Sequence, residues 1–415
     1  MVLQSDPEHA QALHLIGLLS GRRGQPAEAI RYFQRSLDAN PVQPRGLLEL
    51  GNALMAAGMP EGAADAYRRS AALTADNATA LYNLSLALLR LDKPEEAVDA
   101  LDDAVERAPL DWQLRYTLGN ALYRLGDLQA AAEELAESHR LNPAHPAVAN
   151  NLGRVLLELG RADEAIEPLR SASLDPSANY GSQAALAQAL LRSGRAEDAL
   201  GALDDLGRGG VEEVAWRLAA LHALGRGDQR REIFDADRDV RRLRLPLAEG
   251  YGDMAAFLAV LADTLRSHPD RDWERPGSGN HQGSQTPPVS QLQGSLADFA
   301  VAMHELLGEE LQGQRLVCWG TFLETGGHQD AHVHEDTSLS GVLFLQVPAS
   351  VGPDDPAGWL ELDGNPPGLD QGRVGLRIRP VEGELVLFPS AVFHRPLPLA
   401  AGERVSLSFV LVPSD

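Results

Sequence analysis

Apolar and small residues recur through the first half of the chain with a fixed step of 34 positions. Small residues stand at Gly17, Gly51, Ser85, Gly119, Gly153 and Ala187. Twelve positions after each comes an alanine: Ala29, Ala63, Ala97, Ala131, Ala165 and Ala199. Sixteen after each comes a large apolar residue: Phe33, Tyr67, Leu101, Leu135, Leu169 and Leu203. Pro41, Pro109, Pro143 and, shifted by one, Pro176 close several units, where proline ends a helix. The pattern predicts stacked helix-turn-helix units. Beyond it, Met254, Phe257, Leu258, Leu261 and Leu265 give helical spacing over 252–267, and Leu296, Phe299, Met303, Leu306 and Leu307 do so over 295–312. Between these helices, 269–294 is rich in Pro, Gly, Ser and Gln. From Arg315 the period falls from 3.6 to 2, which predicts strands near 315–323, 329–334, 340–347, 357–362, 373–379, 384–388, 391–395 and 404–412.

The 34-residue unit resembles the tetratricopeptide repeat. Small residues let its two helices approach, and the large apolar residue is expected to fill the seam between neighbouring units. Regular units run over about 10–213, and 214–235 reads as a degenerate cap that keeps Trp216, Leu218 and Leu221. The stretch Asp6 to Ala10 reads as the end of an earlier helix, so the chain is expected to open inside a repeat. Asn52, Asn83, Asn120 and Asn151 fall on the first helix of their units. In tetratricopeptide proteins that helix lines the concave face, where side-chain amides can bond an extended peptide's backbone. The expected organisation is a solenoid over 1–235 and a second domain over 236–415. The latter has a helical lead-in at 246–312 and a β-barrel at 315–413. Arg238 to Arg244 reads as a solvated helix end. Eight short strands suit a jelly roll, or double-stranded β-helix.

Composition narrows the picture. A net charge of −23 argues against a nucleic-acid-binding surface. One cysteine, Cys318, excludes an internal disulfide framework and suits a reducing cytoplasm. No apolar run approaches the ~20 residues that span a bilayer, and the first residues lack the basic and apolar regions of a signal peptide. No membrane partner is expected.

The candidate chemistry lies between His332 and Arg404. On an extended strand His332 and His334 share a face, and His394 on a facing strand completes one side of a coordination shell. An open site of nitrogen and oxygen ligands suits Fe(II) and oxygen chemistry. Arg404, across a turn from His394, offers a guanidinium to a carboxylate. Two His-x-Asp sets compete, His328 with Asp330 and His334 with Asp336, and parity alone does not separate them.

Three runs resemble the 2-oxoglutarate/Fe(II)-dependent oxygenases, in particular a bacterial and phage group. These are Gln329-Asp330-Ala331-His332-Val333-His334 with Leu339-Ser340-Gly341, Gly383 to Ser390 with His394, and Arg404-Val405-Ser406. The resemblance implies His332, His334 and His394 as iron ligands, with Asp330 as the alternative third ligand. It implies 2-oxoglutarate held by Arg404 and Ser406, and O2 as the oxidant. An upstream Gly-Ser-Gln-Thr element, with Gln285 and Thr286, is expected as an ordered loop at the mouth that touches substrate. The chain departs from the group at Thr321, usually asparagine, and at Glu335, usually proline. The expected activity is hydroxylation of a protein or peptide side chain recruited by the repeats. The alternatives are a small-molecule oxygenase and a non-catalytic adaptor.

Overall fold

A computed structural model describes residues 6–74, 77–175, 181–204, 210–273, 280–335 and 337–414. Pro176 and Asp336 therefore lie outside the described residues. The chain forms two compact units, Met1–Ala178 and Asn179–Asp415.

The first unit is a run of antiparallel helix pairs. Ala10–Arg22 packs on Pro26–Ala39, Pro44–Ala56 on Pro60–Leu73, and Ala78–Arg90 on Pro94–Arg107. Trp112–Leu125 packs on Leu128–Leu141, and Pro146–Glu158 on Ala162–Ser173. The repeated small residue makes this possible. A Cβ on Gly153 would stand 2.3 Å from Leu169, and one on Gly51 would stand 2.4 Å from the Tyr67 ring. The large residue thus lies over the small residue of its own unit, not only in the seam to the next. A second device was not anticipated. A serine on the second helix donates to a carbonyl at the start of the first: Ser36 to Ala10 at 2.7 Å, Ser70 to Pro44 at 2.7 Å and Ser138 to Trp112 at 2.8 Å. All three serines are buried, so each bond satisfies a hydroxyl that would otherwise be costly.

The second unit begins with further helix pairs, Gly181–Arg192 with Ala196–Asp204 and Val211–Ala223 with Gly227–Ile233. Among the described residues ten strands follow: β1 (Arg241–Arg244), β2 (Asp272–Trp273), β3 (Asn280–Gln285), β4 (Gln314–Gln329), β5 (Leu339–Gln346), β6 (Leu360–Leu362), β7 (Leu376–Ile378), β8 (Glu384–Pro389), β9 (His394–Pro396) and β10 (Arg404–Pro413). They form two antiparallel sheets, ordered β1-β8-β5-β10-β4-β3-β2 and β7-β6-β9, consistent with a jelly-roll-like domain. The period of 2 divides the larger sheet's side chains. Leu343, Leu345, Leu385, Leu387, Leu407 and Phe409 pack against the helices Met254–Arg266 and Ser295–Leu307. Val342, Phe344, Val386 and Phe388 pack toward Leu360, Leu362 and Ile378 of the smaller sheet.

Three expectations are corrected. Of the basic run, Arg238 lies in the short helix Ala236–Asp239, but Arg241–Arg244 is strand β1, paired with β8 and tied by Arg242 to Glu384. Residues 329–334 are not a strand: β4 runs on to Gln329, and past it the chain holds only an isolated bridge, His332 to His394. The polar stretch before Thr286 is strand β3, paired with β4 on one side and with the short edge strand β2 on the other.

The boundary expected at 235/236 falls inside the second unit. Leu218 and Phe234 join the core between the sheets, and Trp216 meets Phe393 edge-on at 5.2 Å.

Candidate functional site

Backbone pairing sets the ligand-bearing loop. His332 and His394 exchange both backbone hydrogen bonds, at 3.1 and 3.0 Å. Ser390, fully buried, accepts from Thr337 at 2.8 Å and bonds Ser340 at 2.8 Å. This gives the Leu-Ser-Gly and Phe-Pro-Ser runs a physical reading: Ser340 and Ser390 lace the loop to the end of β8. Gly341 leaves room for Phe409, whose ring would stand 2.2 Å from any Cβ there.

The three imidazoles converge. His394 Nε2 lies 3.1 Å from His334 Nε2. The ring centroid of His332 is 4.3 Å from that of His394 and 5.1 Å from that of His334. The remaining nitrogens are turned away. His332 Nδ1 faces the Asp330 carbonyl at 2.8 Å, and His394 Nδ1 faces the Val392 carbonyl at 3.1 Å. A carbonyl only accepts, so Nδ1 carries the proton and Nε2 keeps its lone pair. Burial lowers the pKa of all three histidines, that of His334 to about 3. Neutral imidazoles are what a metal requires. Two nitrogens at ~2.1 Å from a first-row divalent ion and at right angles stand about 3 Å apart, as these do. The residues therefore fit the ion that the motif implies.

The same cavity is lined by Arg404, Ser406 and Ser408, which alternate on one face of β10, and by Trp319, Gln329 and Phe344. Arg404 is buried; its Nη1 donates to the Gly358 carbonyl at 2.7 Å, and its Nε has no partner. Burial pulls its pKa down to about 10. Among the described residues no carboxylate pairs with it. A buried cation without an anion is unfavourable, and the site can accept one.

Other expected residues sit elsewhere. The Asp330 carboxylate turns from the triad to His281, 3.1 Å away. Gln285 pairs across the sheet with Thr321, and the buried Thr286 hydroxyl accepts from the Gly320 N–H at 2.9 Å; neither lines the cavity. Thr321, at the departure from the group's asparagine, has a buried hydroxyl with no partner. The four asparagines pair between units: Asn83 donates to Asn52 at 3.2 Å and Asn151 to Asn120 at 2.8 Å. Gln329 and Ser408 were missed as cavity residues. For Ser408 the signal was available, since it continues the alternation of Arg404 and Ser406.

These features define a protein that joins helical repeats to an antiparallel double-sheet domain with a three-histidine site. Residues 317–410 match the family described as "Putative 2OG-Fe(II) oxygenase". Tetratricopeptide-repeat models match 14–78, 48–111, 82–140 and 116–179, and a second such model matches 181–205. The chain is thus a tetratricopeptide-repeat protein fused to a domain of that oxygenase family. Among solved structures, it is similar to MamA, with 27% identity over 38% of this chain and 92% of that one, and a TM-score of 0.37. It is also similar to YrrB, described as a TPR protein with an unusual peptide-binding site, with 21% identity over 46% and 95% and a TM-score of 0.39. A third is pilF of Pseudomonas aeruginosa, with 20% identity over 55% and 97% and a TM-score of 0.40. No curated protein matches the chain. Among the described residues no helix is long and apolar enough to cross a membrane.

Proposed function

We propose that the protein is a 2-oxoglutarate- and Fe(II)-dependent dioxygenase that hydroxylates a protein or peptide side chain recruited by its repeats. The observation that carries this reading is the buried, anion-free Arg404 in one cavity with three neutral imidazoles. When bound, Fe(II) with 2-oxoglutarate and O2 supplies a decarboxylating oxidation of the substrate. His332, His334 and His394 hold the ion through Nε2. Three neutral ligands leave its charge uncompensated, which favours a dianionic cosubstrate over a monoanionic one. Arg404 pairs with the far carboxylate, and the Ser406 hydroxyl donates to it. Trp319, Phe344 and Phe388 wall the cavity and exclude water.

Two features favour an extended polymer as substrate. An open cleft of about 570 Å³, lined by Asp330, Ala331, Asn365, Leu369 and Arg395, borders residues that adjoin His332 and His394 in sequence. Along the repeats, the paired amides of Asn52 with Asn83 and Asn120 with Asn151 form a ladder suited to a peptide backbone.

The test is an anaerobic titration of Fe(II) and 2-oxoglutarate, read by the weak visible charge-transfer band of the chelate. The band is expected in the wild type and absent in His394→Ala. Its absence from reduced wild type overturns the enzyme reading. A repeat-bound peptide that is not oxidised would then point to an adaptor.

A further inference from the structure

We propose a second metal site, separate from the triad: His281, His328 and Asp330 form a cluster that binds a divalent transition ion of the zinc type. It gathers the His-x-Asp motif that the triad leaves unused. His281 on β3 lies directly across from His328 on β4, with their rings stacked at 4.6 Å. Asp330, two residues beyond His328, brings Oδ2 to 3.1 Å from His281 Nε2. One donor atom from each residue lies within 4.8 Å of the others. Zinc draws nitrogen and oxygen ligands to about 2.0–2.2 Å. The His281 and Asp330 side chains are 50% and 63% exposed, so they are free to rotate through the remaining distance. Two imidazoles and one carboxylate leave an open position and bring one negative charge, a donor set borderline ions accept readily.

The backbone is bent to make this pairing. From Gln285↔Thr321 to Gly283↔Leu323 the register is regular. Continued, it would set His281 opposite Thr325. Instead an irregularity between His281 and Gly283 sets it opposite His328. The irregularity holds Gln282 at φ +48°, a left-handed conformation unusual for a residue other than glycine. Gly326 and Gly327 leave space for it: a Cβ on Gly327 would stand 2.5 Å from the Gln282 carbonyl oxygen. Bulges beside active sites commonly re-aim a side chain, and strain of this kind is retained where the placement matters.

The second site also reaches the first. The Asp330 carboxylate belongs to the new cluster, while its backbone carbonyl accepts from His332 Nδ1 at 2.8 Å. An ion at the second site therefore holds in place the residue that orients a triad histidine.

The test is metal counting on untagged full-length protein titrated anaerobically with Co(II). Wild type is expected to bind two equivalents and His281→Ala one, with the charge-transfer band of Fe(II) and 2-oxoglutarate retained. His394→Ala is expected to bind one equivalent that the additional His281→Ala change removes. One equivalent in wild type that His281→Ala leaves in place, or any count unchanged by His281→Ala, overturns the proposal. If wild type binds one equivalent that His281→Ala removes and His394→Ala retains, the triad reading fails and the second site stands.

Discussion

Replacing Arg404 separates a ligand-binding cation from a structural one, because the two roles predict opposite effects. Arg404→Met keeps most of the side-chain volume and its contact with Phe344, whose ring centroid is 5.9 Å from the guanidinium carbon. It removes a buried charge whose Nη1 donates to the Gly358 carbonyl and whose Nε is unpartnered. In the free protein the loss of that bond, about 1.5–3 kcal/mol, is offset by relief of burying an unpaired cation. The melting temperature should therefore stay level or rise. With 2-oxoglutarate bound, the same change strips a carboxylate of its buried partner, at about 3–5 kcal/mol. That corresponds to an affinity weaker on the order of 10²–10³-fold. Two measurements suffice: thermal unfolding without ligand, and 2-oxoglutarate titration of the Mn(II)-loaded protein. A drop of more than about 5 °C in the free protein, with unchanged 2-oxoglutarate affinity, would refute the reasoning and make Arg404 a structural residue.

Three further predictions concern stability. Gly153→Ala places a methyl 2.3 Å from Leu169 and should destabilise the solenoid by about 1–3 kcal/mol. Gly201→Ala, in a helix with nothing within 4 Å, should stabilise by about 0.5–1 kcal/mol; equal urea midpoints for the two variants would contradict the packing argument. Glu361→Gln leaves Arg377 and Arg395 without the buried carboxylate that they grip at 3.1 and 3.0 Å. The expected loss is about 3 kcal/mol, the low end for a buried pair because both arginines keep contact with water. Calorimetry of the variant tests it. Burial lowers the pKa of His14 and His139 in the repeats. The unfolded chain protonates near pH 6.5, so stability is fully present above that pH and is lost as pH falls toward the folded values. Urea midpoints between pH 7.5 and 5.5 should fall, and less steeply in His139→Gln.

The repeats were legible because their physics is local and periodic. Gly51 and Tyr67 touch within a single unit, and the same pair of roles returns 34 residues on. The triad was legible through motif order, since parity left His328 and Asp330 in competition. The structure parts the two sets by side-chain direction, which no local pattern encodes: Asp330 meets His281, 49 residues upstream. Strand β1 was hidden because Leu243 is the one apolar residue in Arg241–Arg244, and its arginines read as solvated. Edge strands tolerate such charge. Strand β3 was hidden because none of its residues, Asn280 to Gln285, is a large apolar one, although it pairs on both sides. The segment after Gln329 misled in the other direction. Its alternation suits a strand, yet its hydrogen bonds go to His394 and Ser390, one bridge at a time.

The last repeat helices carry the remaining consequence. The repeat pattern fades after residue 213, and sequence alone favours a cut near 235. Yet Trp216, Leu218 and Phe234 are each at most 4% exposed, and they pack against Phe393 and the residues between the two sheets. Each contributes about 1.5–3 kcal/mol of burial, so losing all three removes some 5–9 kcal/mol. That is comparable to the whole stability of a typical domain, about 5–15 kcal/mol. Arg230, which with Arg373 neutralises the buried Asp363, would be lost as well. A fragment of residues 236–415 is therefore expected to be unfolded or molten. Residues 179–415 should unfold cooperatively. Near-ultraviolet circular dichroism with thermal melts on the two fragments decides the matter. A cooperative melt of 236–415 at the temperature of the longer fragment would show that the apolar contacts of Trp216, Leu218 and Phe234 add nothing to the sheets they cover.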